Sequence, residues 1–255
     1  MGPEAVESGV DNPGPIVVLV HGSMDRSGSW VRVVRELRDC HTVRYDRRGY
    51  GRSRHLGAGA MEQHIADLLE VIDDRPCVVA GHSYGAAIAL AAAQRRPDLV
   101  RAVVSFEGPT PWREWWPRSS AGGVAVDEVH AGAATADAAE RFLRRMIGDE
   151  KWDSLPPRTK DERRADGEAL LTELASAHDD GAPYDTSKVT VPVISGRGTR
   201  SDEHLRRGAD VLAEELPDVE HAVIEGAGHG AHQSHAPEMA ALIRRALARA
   251  GTSGR

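Results

Sequence analysis

Cysteine is scarce in this 255-residue chain, which has only Cys40 and Cys77, each flanking a predicted strand start. No framework of several disulfides can form, and the two read as buried or half-buried free thiols in a reducing compartment. A basic excess is also lacking: 32 Lys and Arg face 39 Asp and Glu, for a net charge of −7. That excludes the broad cationic surface on which phosphate backbones or anionic lipid would settle. No apolar run approaches membrane-spanning length, and Met1 to Gly14 hold acids, prolines and glycines where a secretory signal would hold a basic patch and an apolar core. The expectation is a cytoplasmic protein with a small-molecule substrate and neither nucleic-acid nor membrane partners. Aromatics are only 4% of the chain, yet four of its five tryptophans, Trp112, Trp115, Trp116 and Trp152, fall in one stretch.

What is present is an alternation. Pro15 to Val20 is an unbroken, β-branched apolar run, the pattern of a strand covered on both faces of a parallel sheet. Similar runs occupy 41–45, 77–80, 99–106, 191–195 and 220–224, separated in most cases by helical spacings such as Ile65, Leu68, Leu69 and Ile72. Between 108 and 188 no β run appears, and helical stretches take over, including 134–147 and 168–177. The chain therefore divides into an α/β core, residues 1–107 and 189–255, and an all-helical insertion, 108–188, that reads as a lid. Trp112, Trp115 and Trp116 have i, i+3, i+4 spacing, which on a helix gives one shared face. They are candidate substrate contacts, with gluing of the lid to the sheet as the competing reading.

Gly81-His82-Ser83-Tyr84-Gly85 lies between an apolar run and an alanine-rich helical stretch. In that strand–turn–helix setting the glycines permit a turn tight enough to lift the serine hydroxyl out, so Ser83 is the candidate nucleophile. A serine needs a base. His229, in the glycine-bounded loop after the last predicted strand, reaches the edge where all parallel strands end, and is the candidate base. His229, His232 and His235 could also be read as metal ligands. Their loop and helix-cap positions give them no reason to converge, so no metal is expected. The segment 46–53 has arginines and glycines but no P-loop ending, and reads as structural.

The elbow, the His21-Gly22 turn and the late histidine, in that order, resemble the α/β-hydrolase superfamily over nearly all of the chain outside the lid. The resemblance implies an α/β-hydrolase fold: a mostly parallel sheet, helices on both faces and an inserted helical lid. It implies an oxyanion hole made by the backbone N–H groups of Tyr84 and Ser23, with Met24 in reserve, and a bracing role for His21. Only about fifteen residues precede the first core strand, so the early antiparallel hairpin of many members is short or missing. The third triad position is unusual. Members usually carry an acid where this chain has Thr199 in Gly196-Arg197-Gly198-Thr199, which leaves Asp202 just beyond, or Glu107 directly after the strand 99–106. An acid at the latter place is known in some haloalkane dehalogenases and in zearalenone lactonases. Glu107 is preferred because an unpaired carboxylate at the end of a buried strand is too costly to serve packing. The implied activity is that of a serine esterase cleaving an ester, thioester or lactone through an acyl-enzyme, without metal or organic cofactor. A slow-turnover receptor or binding protein, or a cofactor-free lyase, would use the same scaffold.

Overall fold

The computed structural model describes residues 2–252. Its sheet has seven strands: β1 Ala5–Ser8, β2 Ile16–Val20, β3 Thr42–Tyr45, β4 Cys77–His82, β5 Val100–Phe106, β6 Val193–Gly198 and β7 Val219–Ile224. Their order is β1-β3-β2-β4-β5-β6-β7. Only β1 runs antiparallel, pairing Ala5 with Tyr45. The early antiparallel hairpin, expected to be short or missing, is thus reduced to a single short edge strand.

Side chains alternate across the sheet with period two. Val18, Val20 and Val79 face a core shared with α2 (Met61–Ile72) and α3 (Tyr84–Arg95). Val17, Leu19, Val78 and Ala80 face the other core, shared with α1 (Val31–Glu36) and the final helix, α11 (Ala236–Thr252). Both faces are covered, which is why these strands are apolar without interruption. Helix α3 is buried from Tyr84 to Ala93, and its run of alanines is what lets it lie so close to the sheet. Cys40 and Cys77 are free thiols.

Between β5 and β6 come five helices and no strand: α4 Ala121–His130, α5 Thr135–Ile147, α6 Asp149–Asp153, α7 Pro157–Ala165 and α8 Gly167–Asp179. They have a core of their own, including Phe142, Leu143, Trp152 and Leu170, which also takes in Met24 and Tyr50 from the α/β core. The tryptophan reading needs correction here. Residues 111–116 form turns, and Trp112, Trp115 and Trp116 share no helix face. Pro109, Pro111 and Pro117 bracket the segment, and proline neither donates to a helix nor tolerates one before it. The remaining α-helices are α9 (Glu203–Glu215) and the short α10 (Ala231–Ser234). No helix among the described residues is long and apolar enough to cross a membrane.

The chain builds outward from β2 to β3, then returns to place β4 on the other side of β2. That reversal opens a crevice at the carboxyl ends of β2 and β4. The His21-Gly22 turn and Ser83 both lie there.

Candidate active site

Ser83 joins β4 to α3 with φ 53° and ψ −127°, a conformation that costs a non-glycine residue about 1–3 kcal/mol. Its backbone N–H is held by the Phe106 carbonyl at 2.9 Å. Two glycines make the turn possible by close approach. A Cβ on Gly22 would lie 2.8 Å from the Ser83 Cβ, and one on Gly85 would lie 2.4 Å from the Val20 carbonyl oxygen.

The turn after β2 is fixed from behind. The Gly22 carbonyl accepts from His21 Nδ1 at 2.8 Å and from Arg47 Nη2 at 3.0 Å. Arg47 Nε donates to the His21 carbonyl at 2.9 Å, and the Arg47 backbone N–H donates to His21 Nε2 at 2.8 Å. These bonds select the neutral Nδ1–H tautomer of His21. Burial, then the adjacent Arg47 charge, lowers its pKa from 6.5 to about 4. Because a trans peptide sets its C=O and N–H on opposite sides, anchoring the Gly22 oxygen directs the Ser23 N–H away from Arg47. Met24 follows at φ 56° and is buried. Tyr84 is the first residue of α3, where a backbone N–H has no partner within the helix.

Segment 46–53 is structural, as expected, in two of its contacts. Asp46 accepts from the backbone N–H groups of Ser27 at 2.7 Å and Arg52 at 2.9 Å, and Arg48 forms a two-pronged bond to Asp67 at 2.7 and 2.8 Å. Arg47 goes further. It is fully buried, and Nη1 donates to Glu173 Oε2 on α8 at 2.8 Å, while the Tyr50 hydroxyl donates to the other carboxylate oxygen at 2.7 Å.

His229 Nδ1 lies 2.6 Å from Glu107 Oε2. Glu107 is fully buried at φ 49°, and its Oε1 accepts the Gly198 N–H at 2.7 Å. Asp202 is elsewhere: it is the exposed N-cap of α9, and its carboxylate makes no hydrogen bond among the described residues. Thr199 braces the histidine loop instead, with Oγ1 accepting the Gly226 N–H at 2.9 Å. Ser83 and His229 line one cleft of 1210 Å³, with no direct hydrogen bond between Oγ and ring. Such bonds often tighten only with substrate bound.

His82, beside the serine, was not singled out by the sequence. Its Nε2–H holds the His229 carbonyl at 2.8 Å, tying the histidine loop to the elbow. Burial, then the nearby His232 and His229, holds its pKa well below the ordinary value. Asp25, His82 and His232 offer ligand atoms within 4.8 Å of one another, a set that could hold a cation. His232 thus converges with residues from other loops rather than with its sequence neighbours. It bonds Asp25 Oδ2 at 3.2 Å, while His235 bonds Ser234 at 2.9 Å. Burial raises the Asp25 pKa, but the His232 bond and the surrounding rings leave it below the usual carboxylate range.

The cleft's apolar wall comes from α5, through Phe142, Leu143, Met146 and Ile147. None of Trp112, Trp115 and Trp116 lines it. Trp112 packs on Tyr184, Trp115 against the Arg207 guanidinium, and Trp116 edge-on against His204. The helical stretch 134–147 was legible in the sequence, but the structure that its apolar side would face was not.

With elbow, turn, histidine and carboxylate at one sheet edge, comparison with known proteins becomes informative. Residues 17–242 match the Alpha/beta hydrolase family. The chain belongs to that family. Lipase LipV of Mycobacterium tuberculosis is 35% identical over 98 residues, 37% of this chain and 38% of that protein. Epoxide hydrolase B of the same species is 33% identical over 111 residues, 40% of this chain and 31% of that one. The chain thus spans under two-fifths of the length of either relative. A thermophilic esterase from Thermogutta terrifontis superposes with a TM-score of 0.74 at 18% identity, over 97% of this chain and 93% of that one, a likeness of fold.

Proposed function

We propose that this chain is a serine hydrolase that cleaves a carboxylic ester, thioester or lactone of a small molecule through an acyl-enzyme. One observation carries the reading: a fully buried Glu107 bonded at 2.6 Å to the His229 ring, in the cleft that Ser83 also lines. Glu107 holds Nδ1–H, which leaves Nε2 as the lone-pair base. His229 takes the Ser83 proton as Oγ attacks the carbonyl, then returns it to the leaving group, and a water deprotonated by the same nitrogen releases the acyl group. The N–H groups of Tyr84 and Ser23 receive the oxyanion, with Met24 in reserve for Ser23. One such donor is worth about 3–4 kcal/mol of barrier.

Kinship to both a lipase and an epoxide hydrolase leaves two chemistries open within the family. An ester intermediate on the enzyme's own carboxylate needs an aspartate as nucleophile. This chain has Ser83 at the elbow, which favours acyl transfer.

The test is hydrolysis of p-nitrophenyl esters of graded acyl length by the wild type and Ser83→Ala, with a fluorophosphonate adduct mapped by mass spectrometry. Turnover and adduct that both vanish with Ser83 support the reading. A folded wild type with neither turnover nor adduct rejects it in favour of a ligand-sensing protein or a lyase.

A further inference from the structure

The charge lining the cleft runs against the charge of the chain. Net charge is −7, and arginines elsewhere are mostly paired, for example Arg48 with Asp67, Arg95 with Glu62 and Arg244 with Asp39. Five cations line the cleft of Ser83 and His229: Arg32, Arg35, Lys151, Arg163 and Arg200. Among the described residues none of the five has a carboxylate partner within salt-bridge distance. Arg32 and Arg163 spend one nitrogen each on backbone carbonyls, of Gln233 at 2.9 Å and Met24 at 3.0 Å. The single carboxylate in the lining, Asp25, is occupied by His232.

The cations come from separate elements. Arg32 and Arg35 lie on α1, Lys151 on α6, Arg163 on α7 and Arg200 in the loop after β6. Core and insertion thus contribute to one concentration of positive charge. A concave wall focuses such a field and raises the local concentration of an anion. Arg163 is the best placed. It is half-buried, its Nη1 bond to the Met24 carbonyl sets it beside the Ser23-Met24 turn, and its other guanidinium N–H groups have no hydrogen-bond partner among the described residues. A guanidinium held this way presents a planar fork suited to a carboxylate or phosphate.

We infer that the substrate carries an anionic group, a carboxylate or phosphate, which Arg163 and the surrounding cations bind while its apolar portion lies along α5. This rests on the serine-hydrolase reading above and specifies its substrate class. Arg163 is here a binding residue that selects substrate, and takes no part in the bond-breaking step.

The experiment compares a neutral p-nitrophenyl alkanoate with esters of equal length that end in a carboxylate or a phosphate, at low and high salt, in wild type, Arg163→Gln and Arg163→Lys. A charge-assisted pair typically contributes about 1.5–3 kcal/mol, so kcat/KM should favour one of the anionic esters by about tenfold or more at low salt. The advantage should shrink with salt. Arg163→Gln should lower kcat/KM for that ester through KM, at least about tenfold more than for the neutral ester, and Arg163→Lys should restore part of it. Binding of adipate and of inorganic phosphate to Ser83→Ala, by calorimetry, gives a readout independent of turnover. Turnover of the neutral ester as fast as the anionic ones, with neither anion bound, overturns the inference and leaves the hydrolase reading intact. Anion binding that is lost in Arg163→Gln, without turnover of any ester, upholds the anion site and defeats the hydrolase reading.

Discussion

Glu173 of the helical insertion and Arg47 of the core form an ion pair at 2.8 Å with both side chains fully buried. Arg47 spends its other nitrogens on the His21 and Gly22 carbonyls, so a helix of the insertion is linked through one side chain to the turn that bears the Ser23 N–H. Burial alone would oppose its charge; Glu173 and the nearby tyrosines reverse that and raise its pKa.

Removing one partner of such a pair leaves a charge stranded in low dielectric. Glu173→Ala should therefore destabilise the fold by about 3–5 kcal/mol, measured by urea unfolding. Arg47→Lys keeps the charge but loses the fork. It should lower kcat with little change in KM, because it loosens the Gly22-Ser23 peptide without touching the cleft wall.

Glu107 and Asp202 make a sharper comparison. Glu107→Gln keeps the shape but removes the acceptor that fixes the His229 tautomer, and should reduce kcat by about 10⁴. Asp202→Asn should change it less than about twofold, since exposed substitutions away from such features have small effects. Reversed magnitudes in steady-state kinetics would give the acid role to Asp202.

Acid should weaken the fold through His21. Its pKa is about 4 when folded against an ordinary 6.5, because burial disfavours the charged ring. Above pH 6.5 both states keep it neutral and it adds no pH dependence. As pH falls from 6.5 towards 4, the unfolded chain binds a proton that the native state refuses, so stability drops by roughly 3 kcal/mol. His64 and His82, also lowered chiefly by burial, act in the same direction. Urea midpoints between pH 7.5 and 4.5 would check this, and a flat profile would mean that the rings take up protons as readily in the native state as in the unfolded chain.

The cleft wall gives another test. Met146→Ala, on α5, should change the acyl-length preference, whereas Trp112→Ala, outside the cleft, should lower thermal stability and leave that preference as it was. A panel of p-nitrophenyl esters with thermal denaturation separates the two effects.

Much of this was legible in the sequence because burial on both faces leaves little choice of residue. The unbroken runs before His21, Ser83 and Glu107 gave β2, β4 and β5 nearly to the residue, and a charge at the end of such a run signalled a partner. Long-range pairing was not legible: nothing near Arg47 points to Glu173, 126 positions away. His82 was missed because its role is to bond a backbone carbonyl of another loop. The tryptophan spacing misled, since i, i+3, i+4 implies a shared face only on a helix, and the prolines around 111–116 prevent one.

The Gly198 N–H that steadies Glu107 comes from the strand end next to Thr199, where the usual acid is replaced. Two neighbouring strand ends thus hold one carboxylate between them: the end of β5 carries Glu107, and the end of β6 supplies the N–H that steadies it against the His229 ring. On the triad proposed above, a relative with threonine after its sixth strand is judged by the residue that ends its fifth.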